Sequence, residues 1–251
     1  NEYGQRAPSI VRIASASREA RGLVLVCPGG GFVYKSMFEA CPVAERFASF
    51  GYNAAVLDYR CLPYTQFDAL DDVKRAVRLI RSHAKEWNVL PDKIAVLGFS
   101  AGAQVANLLA AHFDEGDRES SDPLDRVSSR PNAIVQCYGG LSLCACGDYP
   151  LLTDGYTMEE RVFLSAEKHL KTGGPPYFIW HTFEDQGVDI HFPLNLVKEL
   201  ADRAIPFEFH VFPKGLHGLA LADGGNPEMP PNPRVAEWPR LCSEWLGELG
   251  F

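Results

Sequence analysis

Short apolar runs of strand length punctuate the chain at residues 22–27, 53–59, 94–97, 133–138, 177–181 and 207–212. Several are apolar at consecutive positions, the pattern of strands covered on both faces in a parallel sheet. Residues 9–13 form a further short strand candidate. Between the runs the period changes from two to that of a helix. Residues 41–50 read as a helix with Pro42 in its first turn, stopped by Gly51. Residues 68–87 place Leu70, Val73, Val77, Ile80, Ala84 and Trp87 on one face of a long amphipathic helix. Pro91-Asp92 then reads as a turn into the next strand. Further helices are expected over 104–111, over 191–204 with Leu194, Val197 and Leu200 on one side, and from Pro239 onward with Leu241, Trp245 and Leu246. Strands that alternate with helices predict an α/β fold: a mostly parallel sheet, helices on both faces and right-handed crossovers. Ligands of such folds bind at the carboxyl ends of the strands.

Two stretches break the alternation. Residues 114–132 are polar and loop-like. Residues 139–174 are irregular, with weak helical patches at 158–164 and 166–170, and are too long for a simple connection. They read as a segment inserted near the active site of a single domain spanning residues 1–251. The length suffices for one large core. The formal net charge is −8 without a basic cluster, which argues against nucleic acid or an anionic membrane as partner. The apolar runs are far shorter than a membrane span. Seven cysteines, an odd number, with Cys27 and Cys137 inside strands, predict reduced thiols in place of a disulfide framework. Cys144-Ala145-Cys146 lacks a second pair at metal spacing, so no zinc site is expected. The chain opens Asn1-Glu2-Tyr3 without a signal-peptide pattern; a cytoplasmic location is expected, the mature form of an exported protein being the alternative.

The candidate chemistry centres on Gly98-Phe99-Ser100-Ala101-Gly102, which follows a strand and precedes a helix. That context makes a nucleophile elbow of an otherwise weak motif. The serine needs a base and the base needs an acid. Pro213-Lys214-Gly215-Leu216-His217-Gly218 follows the last strand and offers His217. The other histidines lie on helices, within strands or in the insertion. After the preceding strand, Glu184-Asp185-Gln186-Gly187-Val188-Asp189 offers Asp185, with Glu184 and Asp189 as rivals. The order Ser100, Asp185, His217 is that of an α/β-hydrolase. Gly29-Gly30-Gly31 after an early strand can present backbone N–H groups to an oxyanion, together with the N–H of Ala101. No Walker lysine and no G-x-G-x-x-G accompany this glycine run, so a nucleotide site is not expected.

The set Pro-Gly-Gly-Gly-Phe, Gly-Phe-Ser-Ala-Gly, Trp-His-Thr-x-x-Asp and Phe-Pro-x-Gly-x-His-Gly resembles the α/β-hydrolase esterases, and among them bacterial acetyl esterases of the acetylxylan/feruloyl esterase type. Ser36, Glu39, Pro42, Val43 and Pro175-Pro176 share in the likeness. It implies serine carboxylic-ester hydrolysis without a cofactor, with Ser100, Asp185 and His217 as triad and Gly30, Gly31 and Ala101 as oxyanion donors. Pro28 replaces the histidine of the lipase-like H-G-G-G motif, Ala103-Gln104 stands where Gly-His is expected, Gly187 replaces a bulkier residue, and residues 144–153 are distinctive. Phe32, Trp180 and His181 are candidate pocket walls, packing at the strand ends being the other reading. The expected substrate is a small ester or an acetylated saccharide, such as one from a plant polysaccharide. A prolyl-oligopeptidase-type peptidase and a non-catalytic binding protein of the same fold are the alternatives.

Overall fold

The computed structural model describes residues 4–15, 17, 19–146 and 150–251; Asn1-Glu2-Tyr3 and residues 147–149 of the distinctive stretch lie outside them. Its strands are β1 (Ser9–Ile13), β2 (Arg21–Cys27), β3 (Asn53–Asp58), β4 (Val89–Phe99), β5 (Ala133–Cys137), β6 (Tyr177–Thr182) and β7 (Phe207–Phe212). They form one sheet in the order β1-β3-β2-β4-β5-β6-β7. Only β1 runs antiparallel to its neighbour; the other pairings are parallel. The helices are α1 (Cys41–Ser49), α2 (Gln66–Ser82), α3 (Ala101–His112), α4 (Pro150–Thr153), α5 (Met158–Phe163), α6 (His191–Asp202) and α7 (Trp238–Glu248). This is the α/β architecture that the alternating pattern predicts and the α/β-hydrolase fold that the resemblance implies.

Successive residues of each central strand enter opposite layers, as a period of two requires. Leu23, Leu25 and Cys27 of β2, with Ile94 and Val96 of β4, pack into the layer that holds Val73, Val77 and Ile80 of α2 and Leu108 of α3. Val24 and Val26, with Leu97 and Phe99, pack into the layer that holds Phe47 of α1 and Trp238, Cys242 and Leu246 of α7. Both faces of the central strands β2, β5 and β6 are thereby buried, whereas the edge strands β1 and β7 keep exposed residues.

The boundaries differ from the sequence reading where capping decides. α2 starts at Gln66, not at Asp68. Thr65 is its N-cap and Asp68 is the third residue of a capping box, its carboxylate accepting from the Thr65 backbone N–H at 2.9 Å. The helix stops at Ser82, so Trp87 lies beyond it, stacked on His83 and under Arg12. Pro91 and Asp92 are not a turn. They are exposed residues within the first half of β4, where the pairing with β2 shifts register between Arg21 and Leu23.

The polar loop 114–132 is held by the arginines of α2. Arg78 donates to Val127 O at 2.9 Å and Arg81 to Arg130 O at 2.7 Å. The segment 139–174 carries α4, α5 and a short 3-10 helix, Ala166–Lys168. Two glutamines fasten it: Gln104 Nε2 donates to Leu164 O at 2.7 Å and Gln66 Nε2 to Leu152 O at 3.3 Å. Gln104, a departure from the family pattern, thus ties α3 to this segment. Among the described residues no helix is long and apolar enough to cross a membrane.

Candidate active site

Four chain segments meet at the carboxyl end of the sheet. β4, at its centre, ends at Phe99, and Ser100 follows with φ 49° and ψ −115°. A non-glycine residue there is strained by roughly 1–3 kcal/mol, and its neighbours over-determine it. A Cβ on Gly98 would stand 2.1 Å from Gly102 O, and one on Gly102 would stand 1.9 Å from Cys27 O. Only glycines let the strand fold back on the helix so closely. The Ser100 N–H donates to Cys137 O at 3.0 Å, which fixes the turn to β5.

His217 lies in the loop after β7. Its Nε2 is 2.8 Å from Ser100 Oγ, and its Nδ1 is 2.8 Å from Asp185 Oδ2. Asp185 stands on the loop after β6. Its Oδ1 accepts from the N–H groups of Gly187 and Val188 at 2.8 and 2.9 Å, which turns Oδ2 toward the imidazole. Burial pushes the Asp185 carboxyl up, but the bond and charge of His217 and the Val188 N–H outweigh it, and it lies below the usual carboxylate range. The rivals are engaged elsewhere. Glu184 pairs with Lys214, and Asp189 with His191 at 2.6 Å. Thr182 Oγ1 donates to Gly215 O at 2.8 Å and so ties the acid loop to the histidine loop.

The glycine turn after β2 closes the other side. Gly30 and Gly31 take φ 127° and 61°, and a Cβ on Gly30 would stand 2.2 Å from Tyr34 O. Gly30, Gly31 and Ala101 line one cavity with Ser100 and His217. Its volume is about 830 Å³, and Leu141, Leu143 and Leu152 of the segment 139–174 form part of its wall. Phe32 also lines it, though it is nearly buried and packs edge-on against Tyr59.

Two expected pocket walls lie elsewhere. Trp180 is fully buried beneath the site, stacked on Trp238 and edge-on to Phe212, because its phase in β6 places it with Phe178 in the α7 layer. His181 is fully buried as well. Its Nε2 donates to Val188 O at 2.8 Å, and burial pulls its pKa down, so the ring is a neutral strut under the acid loop. Sequence reasoning also gave no role to two residues that touch the site's frame. Glu39 accepts from the Gly29 N–H, and the Tyr138 ring stands edge-on to His217 at 5.2 Å. The signal for Glu39 was a lone acid in the apolar stretch Met37-Phe38-Glu39-Ala40-Cys41.

Gly187 packs directly on the imidazole: a Cβ there would stand 2.7 Å from His217 Cγ. Gly187→Ala is therefore expected to displace the ring and to lower the rate of ester turnover by about 10–100-fold, the scale of a misplacement near 1 Å. Melting temperature and steady-state kinetics check it. An unchanged rate would mean that the ring has room to retreat.

The sequence model of the BD-FAE family matches residues 11–200. The chain is 34% identical over 240 residues to endo-1,4-β-xylanase B of Butyrivibrio fibrisolvens, covering 89% of this chain and 37% of that protein. It is 26% identical to the probable carboxylic ester hydrolase LipM of Mycobacterium tuberculosis, covering 74% of this chain and 48% of that one. The chain thus spans less than half the length of either relative. Among solved structures, the acetyl ester-xyloside bifunctional hydrolase of Caldicellulosiruptor lactoaceticus superposes with a TM-score of 0.91 at 37% identity, over all of this chain and 91% of that one. The butyrate-bound esterase Est2 of Thermogutta terrifontis superposes at 0.79 with 25% identity, over all of this chain and 92% of its own. A family match over most of the chain, on this fold and with these neighbours, means that the chain belongs to the BD-FAE family of α/β-hydrolase esterases.

Proposed function

We propose that the chain removes short acyl groups, acetyl above all, from saccharide or other small esters by way of an acyl-Ser100 intermediate. The observation that carries this reading is the unbroken chain of contacts from Ser100 Oγ through His217 to Asp185, at 2.8 Å each, beside the glycine turn. A serine hydroxyl becomes a nucleophile when a neighbouring base takes its proton. Ser100 Oγ attacks the ester carbonyl carbon while His217 Nε2 accepts the proton. The negative charge on the tetrahedral oxygen is met by the N–H groups of Gly30, Gly31 and Ala101. His217 then protonates the leaving alkoxide, the C–O bond breaks and the acyl group remains on Ser100. Water, deprotonated by His217, attacks the acyl carbon, and the acid leaves as Ser100 regains its proton. Asp185 holds the imidazole in the tautomer with the proton on Nδ1 and stabilises the imidazolium.

The segment beside the cavity is not built as a lipase lid. The helices of the segment 139–174 are of four and six residues, too short to offer the long apolar face of an interfacial lid. The names of a bifunctional acetyl ester-xyloside hydrolase and of a xylanase among the related proteins support acetylated saccharide as substrate class.

Two expectations test this reading. Asp185→Asn should lower kcat by about 10⁴-fold, the known scale for loss of the correct histidine tautomer, while Glu184→Gln retains most of it. Steady-state kinetics with p-nitrophenyl acetate decides, and the reverse ranking would move the acid role to Glu184. Across acetyl, butyryl and octanoyl p-nitrophenyl esters, kcat/KM should fall steadily, in line with the acetyl ester hydrolase among the related structures. A maximum at octanoyl, or a jump in rate above the substrate's solubility limit, would mark a lipase-like enzyme instead.

A further inference from the structure

Glu39 lies in a short 3-10 helix, Met37–Glu39, between the glycine turn and α1. It is 4% exposed, and no lysine or arginine pairs with it among the described residues. An unpaired buried carboxylate is costly unless donors satisfy it. Here each oxygen has one. Oε2 accepts the Gly29 N–H at 2.7 Å, and Oε1 accepts the Tyr138 O–H at 2.8 Å. The phenol oxygen in turn accepts the Ala220 N–H at 3.0 Å.

These contacts span the two halves of the site. Gly29 immediately precedes the oxyanion glycines, and a Cβ on it would stand 2.9 Å from Ser100 Cβ, so this turn rests on the serine itself. Ala220 lies three residues beyond His217, in a loop whose Ala220 carbonyl accepts from Trp238 Nε1 at 3.0 Å. Tyr138 follows β5 with φ 38° and sets its ring edge-on to the imidazole at 5.2 Å. A carboxylate suits this junction because it accepts two donors that approach from opposite loops. An apolar residue of similar size would leave the Gly29 N–H and the Tyr138 O–H unpaired in a dry region, and both loops would relax toward other partners.

We propose that Glu39 and Tyr138 form a buried relay that sets the spacing between the oxyanion turn and the His217 loop, so that both are positioning residues for the reaction. The proposal rests on the esterase reading of Ser100. Glu39 touches neither the serine hydroxyl nor the imidazole nitrogens; it acts through Gly29 on one side and through Tyr138 and Ala220 on the other. Burial pushes its carboxyl up, partly offset by the Tyr138 and Gly29 bonds and by the charge of His217. The imidazolium formed during the reaction therefore favours the ionised, two-acceptor form of the relay.

The test is a double-mutant cycle of Glu39→Gln and Tyr138→Phe, with wild type and Ser100→Ala as references. Expected are losses in kcat of about 10–100-fold in each single variant, the scale of a displacement near 1 Å, with KM within about twofold. The rate at which a fluorophosphonate labels Ser100 should fall in parallel, since that reaction passes through the same tetrahedral geometry. The double variant should lose no more than the worse single one, because both remove the same link. Losses that multiply, or variants with wild-type kcat, would overturn the relay. If Glu39→Gln does not fold, Tyr138→Phe alone decides: kcat lost at constant KM supports the relay, and kcat retained overturns it. A wild-type chain without Ser100-dependent turnover would instead overturn the esterase reading, and the two failures are thereby distinguished.

Discussion

The structure depends on one close approach. α3 meets β2 and β4 with backbone against backbone, Gly102 lying where any Cβ would strike Cys27 O and Gly98 where any Cβ would strike Gly102 O. This contact forces Ser100 into its left-handed conformation and lifts its hydroxyl clear of the sheet. The strain of that conformation is small beside the burial on both sides of the sheet: at about 25 cal/mol per Å², two dry layers outweigh one strained residue. The geometry of Ser100 is thus a property of the core more than of the turn.

Around this point, the loops after β2, β6 and β7 deliver the remaining groups, and short bonds among them replace flexibility with fixed spacing. Asp185 commits one oxygen to two backbone N–H groups and keeps the other for His217. Thr182 bridges to Gly215, and the neutral His181 props the acid loop from below. Asp185, Thr182 and His181 are buried and each makes at least one hydrogen bond, which fixes their orientation before any substrate arrives. Preorganisation of this kind is the main source of transition-state stabilisation in acyl transfer.

Much of this was legible in the residues themselves. The central strands announce themselves because both faces are apolar, and the chain order of Ser100, Asp185 and His217 follows from three loops at one edge of the sheet. What escaped the sequence was direction and capping. Trp180 and His181 sit next to the acid motif in the chain, yet the period of two turns one toward α7 and the other beneath Val188, so neither reaches the cavity. Asp68 looks like the start of α2 but is the third residue of a helix that Thr65 caps. Glu39 and Tyr138 are 99 positions apart, and no local pattern announces a contact of that range. The three leucines of the segment 139–174 that line the cavity were hidden for the same reason, in a stretch without a clear period.

The central claim is that Ser100 alone among the serines is activated, by His217 and the elbow that carries it. Intact-protein and peptide mass spectrometry after reaction with a fluorophosphonate measures this without choosing a substrate. The account predicts a single adduct per chain, located on Ser100 and absent from a His217→Ala variant. An adduct on another serine, or equal labelling after His217 is removed, would contradict it.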